Sequence, residues 1–81
     1  MTTMRAKLQV SSVQKHEGGN ETLNFHGVAK SSAYPADGLD EDNTFAKWSP
    51  SVSMSIQVAN PALWGKFQAG DKFYVDFTPA E

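Results

Sequence analysis

Asp37, Asp40, Glu41 and Asp42 crowd into one short stretch of this 81-residue chain. The rings of Tyr34, Phe45 and Trp48 border them, and Lys47 sits among the rings. A carboxylate-rich segment containing a glycine, here Gly38, is one way to hold calcium, because a hard cation takes carboxylate and carbonyl oxygens from flexible loops. The spacing is not that of an EF-hand, which needs Asp at alternating positions before the glycine and a Glu later. Runs of charge are most often solvated, and an acidic patch that docks on a basic partner outranks a metal. Rings beside a cation can stack a base or grip a nucleotide, although in a small domain Phe45 and Trp48 can equally anchor the loop to the core. The candidate binding residues are therefore Tyr34, Asp37, Asp40, Asp42, Phe45, Lys47 and Trp48, with no metal assigned.

Other chemistry finds thin support. His16 and His26 are not flanked by a second ligand at metal spacing, and the chain has no cysteine, which removes thiolate zinc sites, disulfides and cysteine nucleophiles. The serines lack the strained Gly-x-Ser-x-Gly setting of a hydrolase nucleophile. The expectation is a protein that is not an enzyme and carries no cofactor.

Formal net charge is −2, and the cations Arg5, Lys7, Lys15, Lys30, Lys47, Lys66 and Lys72 are scattered. A nucleic-acid binder draws most of its non-specific affinity from a basic stripe, so that class is disfavoured despite the aromatic content. The longest uncharged run, 48–65, is broken by serines, Asn60 and Pro61 and is too polar to cross a bilayer. The first residues lack the apolar core of a signal peptide. A protein free in the cytoplasm is expected, with no membrane partner.

The elements that must position these residues follow from period-two alternation. Met4, Ala6, Leu8 and Val10 alternate with Arg5, Lys7 and Gln9, and Val13 then falls out of phase, which predicts a strand with a bulge near Ser11-Ser12. The segment 15–21 contains Gly-Gly-Asn and reads as a hairpin loop. Leu23 and Phe25 share a face of the next strand, and Gly27 predicts a bulge or bend. Ser51 to Val58 alternates strictly between small polar and apolar side chains. Asn60 and Pro61 suit a helix cap and first turn, predicting a short helix at about 60–67. Phe73, Val75 and Phe77 alternate with Lys72, Tyr74 and Asp76 as the last strand, with Tyr74 projecting from the outer face. The predicted fold is mainly β, one domain over 1–81: a small antiparallel sheet or partly open barrel of four to five strands, with an irregular loop at about 31–49. Loops of that length in compact domains tend to be functional or disordered. The uncharged outer face of strand 51–58 offers little protection against pairing, so a homodimer through a sheet edge is a further expectation.

The runs Asp42-Asn43-Thr44-Phe45-Ala46-Lys47-Trp48-Ser49-Pro50-Ser51, Asn60-Pro61-Ala62 and Gly70 to Ala80 together resemble a group of small tailed-bacteriophage proteins. The likeness covers the C-terminal half and, more loosely, the first hairpin. It implies a context and no mapped site: a phage product made in an infected bacterium, in the host cytoplasm or bound to the virion. The function expected on this basis is a binding protein that occupies a host protein or a small nucleotide-like signal. The alternatives are a virion component and a small barrel that binds single-stranded nucleic acid.

Overall fold

A computed structural model describes residues 4–80. Strands β1 (Met4–Lys15), β2 (Glu21–Gly27), β3 (Ser53–Val58) and β4 (Lys72–Phe77) form one antiparallel sheet in the order β3-β2-β1-β4. The sheet stays open, with β3 and β4 as its two edges, so of the forms expected the described residues take the open four-stranded sheet. None of the helical structure among the described residues is long and apolar enough to cross a membrane.

Register fixes which side chains share a face. Val10 lies opposite Phe25, Ala6 opposite Val75, Leu8 opposite Phe73 and Leu23 opposite Ile56, and directly opposed residues point to the same side. The apolar residues of all four strands therefore line one face, around a buried core of Ala6, Leu8, Val10, Leu23, Phe25 and Val58. The register of β1 against β2 shifts between Val10 and Ser12, at the position where alternation broke. That shift returns Val13 to the apolar face, opposite Leu23.

Gly27 shows no bulge. It is the last residue of β2, and Val52 approaches it so closely that a Cβ there would fall 2.8 Å from Val52 Cγ1. The predicted helix at 60–67 is also shorter than expected, a single 3-10 turn over Pro61–Leu63. Asn60 caps that turn by accepting from the Ala62 N–H at 3.0 Å. Trp64 then turns extended, and its indole Nε1 donates to the Val58 carbonyl at 2.8 Å. The core contact outweighs continuation of the helix.

Segment 59–71 links the two edges of the sheet, so it crosses the apolar face and lays Trp64 and Phe67 against the core. It is closed on β1 by Gly70 N–H to Val10 O and Val10 N–H to Asp71 O, at 2.9 and 2.8 Å. Below Trp64 lies Gly19, with φ +104°, where a Cβ would sit 2.4 Å from the ring. Gly19→Ala is therefore expected to lower unfolding free energy by about 2 kcal/mol through backbone strain plus overpacking. Urea denaturation checks this, and an unchanged midpoint would show that Trp64 does not close that end of the core.

Candidate functional site

The long segment between β2 and β3 is ordered by two buried polar side chains. Asp40 is 2% exposed and Asn43 is 0% exposed. After Gly27 the chain makes one more ladder bond, Val28 N–H to Lys7 O at 2.9 Å, and then leaves the sheet. The vacated place beside β1 is taken by Asn43 and Thr44. Lys7 N–H donates to Asn43 Oδ1 at 2.7 Å, Arg5 N–H to Thr44 Oγ1 at 2.8 Å, and Thr44 N–H to Arg5 O at 2.9 Å. Asn43 Nδ2 donates to the Val28 carbonyl at 2.7 Å. One carboxamide thus bonds both to β1 and to the chain leaving β2, satisfying backbone groups that the sheet would otherwise strand.

Asp40 gathers the loop around itself. Its Oδ1 accepts from the N–H groups of Asp42 and Asn43, at 2.8 and 3.1 Å. Its Oδ2 accepts from Lys30 N–H at 3.1 Å, Asn43 Nδ2 at 3.2 Å and the Tyr34 hydroxyl at 3.4 Å. Burial disfavours the charged form, but the bonds from the Asn43 amide and the N–H groups of Lys30, Asp42 and Asn43 outweigh it and hold the carboxyl below its usual range. The same setting pushes the Tyr34 phenol up, first by burial and then by the Asp40 charge.

On the outer side, the loop folds back on itself. Leu39 bridges to Lys47, and Trp48 N–H donates to Gly38 O at 2.6 Å. Asp37 stabilises the turn by accepting from Leu39 N–H at 3.1 Å. Trp48 has φ +69°, a left-handed conformation that a bulky residue adopts at a cost of about 1–3 kcal/mol. Its ring lies so close to Gly38 that a Cβ there would be 2.4 Å away. It also meets Tyr34 edge-on, with centroids 6.0 Å apart. Glycine at 38 is required both by this approach and by its own φ of +75°.

Beside these rings is an open cleft of about 340 Å³, lined by Pro35, Asp37, Leu39, Asp40, Glu41 and Thr44. Leu39 is 53% exposed, and Phe45 and Trp48 are also exposed. Glu41 pairs with Lys30 Nζ at 2.8 Å, which lowers the Glu41 carboxyl and raises the Lys30 ammonium. The cleft thus combines apolar walls with carboxylates.

The seven residues singled out by sequence fall into three places. Tyr34, Asp37 and Asp40 build the loop, and Asp37 and Asp40 also line the cleft. Phe45, Lys47 and Trp48 lie exposed on its returning arm, and none of the three is in the cleft lining. Asp42 turns to the polar face of the sheet, where it meets Lys7 Nζ at 3.5 Å and accepts from the Tyr74 hydroxyl at 3.2 Å. There the Arg5 guanidinium sits 4.7 Å over the Tyr74 ring and binds Asp76 at 2.6 and 3.1 Å, so Tyr74, the surface aromatic expected on β4, belongs to a charged cluster. The Arg5 pair holds the Asp76 carboxyl below its usual range. Sequence reasoning left Leu39, Glu41 and Asn43 out of the candidate residues, counting Glu41 only as a member of the acidic cluster. Asn43 could have been found from its spacing of three from Asp40, which suits side-chain to backbone turns. Leu39, a lone apolar residue in an acidic stretch, was the other available signal.

Among the described residues, no group of three or more His, Cys, Asp or Glu side chains is arranged to hold a metal ion. No family model, curated protein or solved structure matches the chain.

Proposed function

We propose that the chain is a phage-encoded, non-enzymatic binding protein whose loop 31–49 occupies a host protein in the infected cell. The observation that carries this reading is the cleft itself, where Pro35 and Leu39 supply apolar wall beside Asp37 and Glu41, with Phe45 and Trp48 exposed on the same loop. Such a surface suits a partner segment that offers an apolar side chain flanked by basic ones. Apolar anchors supply affinity, and complementary charge speeds encounter. The nucleotide-like ligand is the weaker choice, because phosphate entering this cleft would meet Asp37, Asp40 and Glu41 without Lys47 in its lining.

The test uses tagged protein, an extract of the host bacterium and mass spectrometry of retained species, followed by titration of the retained protein. Leu39→Arg replaces an exposed anchor with a charge that repels a basic partner, and is expected to weaken binding by about a hundredfold. Its thermal stability should match that of the parent protein. Equal retention by parent and variant would remove the loop as the binding surface. Retention of a nucleotide in place of a protein would transfer the site to the other ligand class. Recovery of the chain in purified particles at fixed stoichiometry would make it a virion component.

A further inference from the structure

The sheet is too thin and too exposed for its mass. The chain exposes 5693 Å², whereas a monomer of 8.8 kDa is expected to expose about 4,800 Å². Its radius of gyration is 14.7 Å against about 12 Å for a compact domain of this length, and its shortest dimension is 16 Å. The surplus, roughly 900 Å², is close to the area of about 800 Å² that each partner contributes to a standard interface.

Much of the uncovered apolar surface lies along β4. Phe73, Val75 and Phe77 point to the apolar face, and Met4 stands directly opposite Phe77. Phe77 is 51% exposed, and Met4 and Phe73 are exposed as well. By contrast, β3 presents only Ile56 as an exposed large apolar side chain, with Val58 buried and Met54 half-buried. β4 is also hydrogen-bonded on one side only, to β1. An edge strand with unpaired backbone groups and an apolar stripe along one side is a template for another strand.

We infer that β4 is the seam of a homodimer, pairing antiparallel with β4 of a second copy about a two-fold axis at Val75. Faces match in this register, because opposed residues then share parity. Val75 meets its own counterpart, and Phe73 lies opposite Phe77 of the second copy on both sides of the axis. Aromatic pairs of this kind are favourable cross-strand neighbours. On the polar face Tyr74 lies opposite Asp76, and Lys72 lies opposite Thr78 and diagonal to Asp76, so no like charges are opposed. The product is a continuous sheet in the order β3-β2-β1-β4-β4-β1-β2-β3. The loop site of each copy is carried on residues outside the seam, so this pairing stands independently of the proposed function.

Sedimentation equilibrium of the full chain over a concentration series tests the assignment. The parent protein is expected at twice the 8.8 kDa chain mass. Phe77→Lys is expected to raise the dimer dissociation constant by roughly a hundredfold, since the symmetry counts each change twice. Ile56→Lys, on the opposite edge, should leave it unchanged. Because the chain has no cysteine, Val75→Cys gives a background-free probe, expected to form a covalent dimer on oxidation. Ser53→Cys on β3 should not. A parent protein that stays monomeric throughout the series overturns the inference. So does a dimer broken by Ile56→Lys and crosslinked by Ser53→Cys, which would place the seam on β3.

Discussion

Replacing Asp40 with alanine is expected to detach the loop from the sheet while leaving the four strands paired. The carboxylate accepts from three backbone N–H groups, one carboxamide and one phenol. With the acceptor gone, the N–H groups of Lys30 and Asp42 lose that partner, while Asn43 N–H keeps its bond to the Asp40 main-chain carbonyl at 3.1 Å, and each buried donor left unsatisfied costs about 1–3 kcal/mol. Native stability for a domain of this length is only on the order of 4–12 kcal/mol, so the full sum cannot be tolerated in a closed loop. The segment opens instead, and the cost is capped at its local stability, about 2 kcal/mol by the lower bound of those terms. Hydrogen exchange is the decisive measurement. Amides of Asn43, Thr44 and Ala46 should lose protection in Asp40→Ala, while those of β2 within the ladder keep it. Equal protection in variant and parent would mean that the loop is held by its rings alone. Limited proteolysis should show new cleavage within 31–49.

Acid should mimic the same change. The Asp40 carboxyl is held below its usual value in the folded protein. Its contribution is therefore complete above the unfolded pKa, about 4, and is lost as pH falls through the lower folded value. Glu41 and Asp76 are lowered for their own reasons, the Lys30 and Arg5 pairs, and shift stability in the same direction. Asp40→Ala should accordingly show a shallower acid limb than the parent protein. A limb of unchanged steepness would assign acid sensitivity to the exposed pairs.

The difference between what the sequence revealed and what it concealed follows from periodicity. Ala6, Leu8, Val10, Phe73, Val75 and Phe77 announce their strands because a pleated chain places alternate side chains on opposite faces. The bulge at Ser11 was legible for the same reason, as a break in that alternation at Val13. The short helix was over-read, because Asn60 and Pro61 specify only a start. What ends the turn is the docking of Trp64 on the core, with its Nε1 bonded to Val58 O six residues back, which no helix-start rule contains. Edge positions were hidden too: the alternation of β3 is the same whether one neighbour or two pair with it.

The loop was legible in location and much less so in construction. Charge and rings marked 31–49, yet side-chain to backbone bonds have no period. Composition could not say that Asp40 would be enclosed while Glu41, its neighbour, would project outward. Asp42 shows the same point. It was grouped with the other acids, and it is drawn instead to Lys7 and Tyr74 because Asn43 docks beside β1 and turns the preceding residue to the polar face.

That docking gives the sharpest test of the loop's design, because the change Asn43→Asp preserves shape and alters only chemistry. Asn43 Oδ1 accepts from Lys7 N–H, and a carboxylate oxygen would do the same. Nδ2 is different. It donates to Val28 O at 2.7 Å and to Asp40 Oδ2 at 3.2 Å, and an ionised oxygen in its place would face two acceptors, one of them charged. At neutral pH the variant is expected to lose about 3 kcal/mol or more, from two lost bonds and two like charges in a buried site. The pair can recover by sharing one proton, since a carboxylic acid O–H can donate where Nδ2 did. The folded pair therefore takes up its first proton above the unfolded carboxylate value of about 4. A carboxyl raised in this way destabilises the fold fully above its folded pKa, and the penalty disappears as pH falls toward the unfolded value. Thermal unfolding followed from pH 7 to about pH 5 should thus show the variant gaining stability on acidification, over a range in which the depressed carboxyls leave the parent nearly level. The orientation of the amide is fixed by Lys7 N–H, because an N–H donor there requires an oxygen. Parallel curves for the two proteins would therefore mean that the bonds from Nδ2 to Val28 and Asp40 do not hold the loop.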